Sequence, residues 1–242
     1  MRIPRFYEPQ AITEGSELCL SDSVVQHVCR ALRMRPGDSL ALFNGDGFEY
    51  TAELTEVAKR NATARITQAS QPHRVSPLKV TIGQAVSRGE RMDYAVQKAT
   101  ELGMNQLVPL FTERCEVRLN SERQDKRRQH WQQVAVSACE QSLRCDIPEI
   151  GEPQSLNDWI NTVEADLKLV LHHHTEQPLG DFTKPSSIAL LIGPEGGLSE
   201  PEVELALANG FKPVAFGPRV FRTETAPVAA LSVLQYLWGD LG

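Results

Sequence analysis

Hydrophobic and polar positions along this 242-residue chain change rhythm near residue 72. Before that point short runs alternate at a two-residue period. "SLALFNGDGFEYTAELTEV" reads as two strands joined through Asn44-Gly45-Asp46-Gly47, a turn sequence that favours a hairpin. "ATARITQAS" follows a Lys59-Arg60-Asn61 turn as a third strand. Ahead of them, "SDSVVQHVCRALRM" has helical spacing, with Ser21 or Asp22 as the cap and Val25, Val28 and Leu32 on one face. Short strands with one helix predict a small barrel over 1–72. "QPHRVSP" has two prolines and no periodicity, and reads as a linker.

From 73 to 242 the apolar runs are continuous. "LKVTIGQAV", "NQLVPLFT", "LKLVL", "SIALLIG" and "KPVAFG" read as buried strands. Helical patterns lie between them at about 90–103, 121–142, 155–164 and 199–209, and a last one runs from about 224 to 238. This alternation predicts an α/β domain with a parallel sheet covered on both faces. Such sheets bind ligands beyond the carboxyl ends of their strands.

Two strand ends carry the candidate chemistry. In "LLIGPEGGLSEPEVE" the strand stops at Gly193. Ser199 and Glu202 form a capping box, and Pro201 suits the first turn of the next helix. Gly193, Gly196 and Gly197 allow a tight turn and close approach to a ligand. No G-K-[ST] follows, so the loop is not a phosphate-binding P-loop. It reads either as a ligand loop or as a plain glycine-rich turn. "FGPRVFRTETAPVAALSVLQ" repeats the design, with Thr223 or Thr225 as helix cap and with Arg219, Arg222 and Glu224 in the loop. Both loops leave strand ends, so they can face one pocket.

Composition narrows the class. Charged residues make up 23% and the net charge is -6. That charge is uneven: residues 1–75 hold 9 basic and 9 acidic side chains, and 151–242 hold 5 and 12. The early arginines cluster in "RALRMRPGD" and "KRRQHW", either as solvated helix faces or as a local basic surface for nucleic acid. Five cysteines with irregular spacing predict reduced thiols in the cytoplasm, without disulfides or zinc. No run approaches the roughly 20 apolar residues of a membrane span.

"IGPEGGLSEPE" and "FGPRVFRTETA", together with "MRIPRFY", "RALRMRPGD", "SRGERMDYAVQKATELG", "ERCEVRL", "ACEQS" and "WGDLG", resemble the RsmE family, 16S rRNA (uracil-N3) methyltransferases of the SPOUT class. The resemblance covers nearly the whole chain. It implies a PUA-like RNA-binding barrel followed by an α/β domain with a trefoil knot. It also implies S-adenosyl-L-methionine as methyl donor, a homodimer, and N3 of one uridine, U1498, as the target in the small ribosomal subunit. Carried over by position, the donor pocket takes Leu171, His172, Gly193, Pro194, Gly196, Gly197, Phe216, Gly217, Val220, Phe221, Thr225 and Ala226.

Uracil N3 must lose its proton before it attacks, and the charge then spreads to the two flanking oxygens. A guanidinium can hold that anion with paired hydrogen bonds. Arg222 is the first candidate and Arg88 the second. Glu224 either orients Arg222 or takes the proton. Arg2, Arg5, Arg30, Arg33 and Arg35 are expected to contact phosphates, joined by Arg144. After "EQS" the family pattern leads one to expect glycine and then a second basic residue, where Leu143 and Asp146 stand. His173 and His174 follow His172, but strand neighbours face opposite ways, so they read as exposed and not as a metal site. Ala226, Ala229, Ala230, Val233, Leu234, Leu237 and Trp238 give the last helix a wide apolar face, part of which is expected to meet a second subunit. Other readings stay open: a SPOUT enzyme acting on a ribose 2′-hydroxyl or pseudouridine N1, or a non-catalytic RNA-binding protein. The absent Walker lysine disfavours a nucleotide-dependent phosphotransferase.

Overall fold

The computed structural model describes residues 3–72, 75–117, 120–172, 179 and 182–242. The chain forms two compact units. The first takes residues up to Val75 together with Cys139–Ile147, and the second takes Ser76–Ala138 with Pro148–Gly242. The returning segment Cys139–Ile147 is one that local pattern assigns to the second domain.

Five strands build the first unit: β1 (Arg5–Tyr7), β2 (Glu17–Cys19), β3 (Ser39–Phe43), β4 (Glu49–Val57) and β5 (Ala62–Ser70). Their order is β1-β3-β4-β5-β2, with β1 parallel to β3 and the other neighbours antiparallel. Alternate residues Leu40, Leu42, Ala52, Leu54, Ala64 and Ile66 share one core with Val24, Val25 and Val28. The last three lie on a helix that changes winding. It starts as α1 (Asp22–Val25) and widens into a π-helix over Gln26–Ala31. The Leu32 N–H then donates to the His27 carbonyl five residues back, at 2.9 Å. The wider turn rotates Leu32 off the buried face, so it is 50% exposed instead of packing beside Val28.

Arg5 anchors the returning segment within this unit. Its side chain is 5% exposed and pairs with Glu49 at 2.8 Å. It also donates to the carbonyls of Cys139 at 2.8 Å and Arg144 at 2.6 Å. Its guanidinium carbon lies 3.8 Å from the centre of the Phe43 ring. Arg144 is buried too and pairs with Asp146. Asp146 thus stands where a second basic residue was expected, and serves as Arg144's carboxylate. Burial pushes the nearby Cys139 thiol up to about 12, with the charge of Arg144 working against that and the charge of Asp146 adding to it. Leu143 has φ of 68°, a left-handed backbone that glycine adopts more easily. The glycine that the family pattern led one to expect would take this conformation with less strain. Phosphate contact was expected of both Arg5 and Arg144, but their guanidinium groups are occupied by partners inside this unit. Arg30, Arg33 and Arg35 are exposed, and Arg2 lies outside the described residues.

The second unit is a parallel α/β layer structure. Its elements are β6 (Lys79–Ala85), α2 (Arg91–Glu101), β7 (Gln106–Phe111), α3 (Ser121–Ser142), β8 (Glu149–Ile150), β9 (Gln154–Ser155), α4 (Leu156–Thr162), β10 (Leu167–Leu171), β11 (Ser187–Ile192), α5 (Glu200–Ala208), β12 (Lys212–Val214) and α6 (Thr225–Trp238). The strands run β12-β10-β11-β6-β7-β8, and β9 also pairs with β7; every pairing is parallel. Successive strand residues face opposite layers. Leu107, Leu169 and Leu190 pack with Met92 and Val96 of α2 and Leu231 and Leu234 of α6. Val108, Val170 and Leu191 pack with Trp159 and Ile160 of α4 and Ala206 of α5.

Gln235, buried on α6, accepts from the Ser76 hydroxyl at 2.6 Å and donates to the Leu102 carbonyl at 3.1 Å. This fixes the far end of a helix whose first turn reaches the functional site. On α6, Ala226, Ala230, Leu234 and Trp238 are buried, Ala229 is half-buried, and Val233 and Leu237 are exposed. Among the described residues no helix is long and apolar enough to cross a membrane.

Replacing Arg5 by alanine removes the ion pair with Glu49 and the hydrogen bonds to the Cys139 and Arg144 carbonyls, and is expected to cost about 3 kcal/mol of unfolding free energy. Urea denaturation followed by circular dichroism measures it. Replacing Arg30, Arg33 and Arg35 together is expected to leave stability unchanged, and equal losses in the two proteins would contradict this division of roles.

Candidate active site

Strands β12, β10 and β11 are neighbours, and their carboxyl ends deliver three chain segments to one place. β10 ends at Leu171 and His172, β11 runs into Gly193, and β12 runs into Ala215. The His172 N–H donates to the Val214 carbonyl at 3.0 Å, which holds the first and third segments in register. Together they enclose a cleft of about 550 Å³, within the usual range for small-molecule sites.

The loop after β11 is held tightly from several sides. A Cβ on Gly193 would lie 3.0 Å from the Leu198 nitrogen and 3.1 Å from its Cγ, a tight approach that glycine leaves open as the loop folds back on itself. Gly197 has φ of 69°, and its N–H donates to the Pro194 carbonyl at 2.9 Å. From outside, the Arg114 guanidinium donates to the Gly196 carbonyl at 3.0 Å. The Glu202 carboxylate accepts from the Ser199 N–H at 2.9 Å and the Glu113 N–H at 2.7 Å. Pro201 stands in the first turn of α5, whose cap is Ser199.

Glu195 lines the cleft and pairs with Arg91 at 2.6 Å. Burial pushes its carboxyl up. The hydrogen bonds from its own backbone, Arg91 and the Arg88 N–H outweigh that and hold it below the usual carboxylate range. It is therefore an anion at neutral pH.

The loop after β12 makes the opposite wall. Gly217 turns with φ of 82°. Phe216 and Phe221 are partly buried against the core of the unit, and Val220 at the rim is 77% exposed. The Arg222 carbonyl accepts from the N–H groups of Thr225 at 2.9 Å and Ala226 at 3.0 Å, which opens α6. Neither threonine caps that helix. Glu224 occupies the cap position without a side-chain cap bond, because the Thr223 hydroxyl points elsewhere and donates to the Gly193 carbonyl at 3.0 Å.

Leu171, His172, Gly193, Pro194, Gly196, Gly197, Phe216, Gly217, Val220, Phe221 and Ala226 all line the cleft, as do Arg222 and Glu224. Thr225 is not among the lining residues. Neither is Arg88, whose guanidinium pairs with Glu116 at 2.8 Å. The lining residues that sequence reasoning missed include Arg91, Ile192, Glu195, Leu198, Val214 and Thr223. Arg91 lies three residues beyond Arg88 in the same "SRGER" stretch. His173 and His174 lie outside the described residues.

The chemical character is mixed. Leu171, Ile192, Val214, Phe216 and Phe221 make apolar walls, and no lysine is among the lining residues. Glu224 has an Oε2 that is buried without a hydrogen-bond partner, and no ion pair joins it to Arg222 among the described residues. Arg222 is exposed at the cleft. The site therefore offers backbone groups, apolar walls, two carboxylates and three guanidinium groups, with Arg91 paired to Glu195 and Arg219 and Arg222 exposed, a combination suited to an organic ligand next to a group that develops negative charge.

Comparison with known proteins points to one family. A family model described as an RNA methyltransferase domain matches residues 74–235, and one described as an RNA methyltransferase PUA domain matches 13–67. The chain is 35% identical over 242 residues to the ribosomal RNA small subunit methyltransferase E of Buchnera aphidicola (subspecies Schizaphis graminum), covering 99% of this chain and 98% of that one. It is 31% identical to the Bacillus subtilis protein of the same name, over 94% of this chain and 93% of the relative. Among solved structures, a methyltransferase from Legionella pneumophila in complex with SAM superimposes with a TM-score of 0.96 at 43% identity. The Neisseria gonorrhoeae ribosomal RNA small subunit methyltransferase E bound to S-adenosyl methionine does so with 0.94 at 38% identity. Both matches cover 100% of each chain.

Proposed function

The chain belongs to the ribosomal RNA small subunit methyltransferase E family, and from that membership we propose that it methylates 16S rRNA with S-adenosyl-L-methionine as donor, at N3 of a single uridine, U1498. The observation that carries this reading is the cleft itself. Two glycine loops, from strands that flank β10 on either side, face each other there, with apolar walls, no lysine, two carboxylates and three arginines. No lysine follows the glycines, as a phosphate-binding P-loop would need. The donor is an organic cation, and its sulfonium supplies an electrophilic methyl group.

The residues then divide the work. Gly193, Pro194, Gly196 and Gly197 present backbone groups to the donor, while Leu171, Phe216 and Phe221 bury its apolar surface. His172, Gly217, Val220 and Ala226 complete that pocket in this reading, and Thr225 stands behind it in the first turn of α6. Glu224, whose Oε2 lacks a partner, accepts the N3 proton. Arg222 holds the uracil oxygens as charge spreads onto them. With its guanidinium on Glu116, Arg88 ranks behind Arg222. The exposed Arg30, Arg33 and Arg35 meet RNA phosphates, in place of Arg5 and Arg144. The assembled small subunit in the cytoplasm is the setting, and the trefoil knot implied by the resemblance belongs to the same proposal.

A homodimer is also part of it. Tyr94 on α2 and Val233, Tyr236 and Leu237 on α6 are exposed large hydrophobic side chains, on two helices that pack together. A second copy would cover such a strip.

Mass spectrometry of nucleosides after incubation of small subunits with labelled donor is expected to yield 3-methyluridine. Arg222→Ala is expected to lower kcat by roughly 10²–10³ while donor affinity stays close to wild type. A methyl group on ribose or on another base would overturn the target assignment. In sedimentation velocity the wild type is expected to run as a dimer, and Val233→Glu with Leu237→Glu as an inactive monomer. A fully active monomer would refute the dimer.

A further inference from the structure

Gln84 stands next to the last residue of β6, paired in register with Ile192, the residue before Gly193. It is 1% exposed. Its Nε2 donates to the Thr223 hydroxyl oxygen at 3.0 Å, and that hydroxyl donates to the Gly193 carbonyl at 3.0 Å. Thr223 is itself 5% exposed. The chain of two bonds joins three segments: the end of β6, the loop after β11 and the loop after β12. A hydroxyl has one proton, and here it both accepts and donates. The amide sets the direction, because its N–H fills the acceptor side and leaves the proton for Gly193.

Gln84 Oε1, by contrast, is buried with no hydrogen-bond partner among the described residues. A buried acceptor without a partner is unfavourable. An apolar residue would avoid it, so the amide is not there to satisfy the core. What it supplies is the donor that orients Thr223. Thr223 in turn sits between Arg222 and Glu224. The carbonyl before it is tied to the start of α6, and its side chain is tied to the opposite loop. The short segment carrying both reactive side chains is thus pinned at each end.

We infer that Gln84 and Thr223 are positioning residues, a hydrogen-bonded relay that locks the donor loop to the loop bearing Arg222 and Glu224, so that one arrangement of the cleft serves both donor binding and proton removal. The inference rests on the methyl-transfer reading above. Fixing two reacting groups relative to each other is where a small displacement costs rate.

The test compares Thr223→Val, Thr223→Ser and Gln84→Met with the wild-type protein, by calorimetric titration of S-adenosylmethionine and by single-turnover methylation of small subunits. Thr223→Val keeps the shape and removes the hydroxyl. It is expected to weaken donor binding about tenfold and, at saturating donor, still to lower the rate about tenfold. Thr223→Ser is expected to restore both. Gln84→Met is expected to fall between, and the double variant to be no worse than Thr223→Val, because the two act as one unit. A full rate at saturating donor would mean that Thr223 serves only the fold or donor affinity, and would overturn the relay. Serine behaving like valine would do the same. Should Thr223→Val fail to fold, Gln84→Met decides, with unchanged donor affinity and rate counting against the relay. A wild type that binds donor but leaves the RNA unmethylated would instead refute the methyl-transfer reading, and the relay would then stand or fall on donor affinity alone.

Discussion

The Gly193 Cα and the Leu198 amide lie so close that a methyl group between them would sit 3.0 Å from the nitrogen. That closeness shapes the cleft. It bends the chain leaving β11 back on itself, brings Gly196 and Gly197 round to the rim and aims the segment at Ser199, where α5 is capped. The same residue's carbonyl takes the Thr223 hydroxyl, so the position where the loop packs most closely on itself also binds the facing loop. A parallel sheet provides the setting. Its strands all point one way, so their outgoing loops gather at one edge, and three adjacent strand ends suffice to surround a small molecule.

Around this constraint charge is arranged by compensation. Glu195 is buried enough to lose solvation, yet hydrogen bonds from Arg91 and the Arg88 N–H keep it ionised. Arg91 is thereby neutralised where it stands. Arg222 has no such carboxylate among the described residues, and Glu224 has an oxygen without a donor. The cleft so contains an ion pair that shapes it, an exposed guanidinium, and a buried carboxylate oxygen without a hydrogen-bond partner among the described residues. In the first unit the logic differs. Arg5 gathers Glu49, two carbonyls and the Phe43 ring, which makes it part of the fold and not of any surface.

Much of this was legible in sequence, for definite reasons. Continuous apolar runs marked β6, β7, β10, β11 and β12, because a strand buried on both faces leaves no polar position. The Asn-Gly-Asp-Gly turn marked β3 and β4. Glycine and proline at two strand ends marked the loops. Other features had no local signal. β8 and β9 have two residues each, too few for a period. The π-helix that exposes Leu32 arises from hydrogen bonding within the turn, and spacing alone read the stretch as an ordinary helix. Arg5 and Arg33 look alike in sequence, but only Arg5 has partners more than 100 residues away. Thr223 looked like a helix cap because threonine favours that role, yet its hydroxyl is drawn across to a carbonyl thirty residues back in the chain.

The central claim is that backbone geometry at the two glycine loops, and not a charged anchor, holds the methyl donor. Calorimetric titration of S-adenosylmethionine into the wild type and Gly197→Val tests it most directly. Position 197 has no atom within 4 Å of a would-be Cβ, but its φ of 69° is one that a β-branched residue rarely adopts. The account predicts one binding site per wild-type chain, and none in a variant that remains folded by circular dichroism. Unchanged affinity in that variant would contradict it.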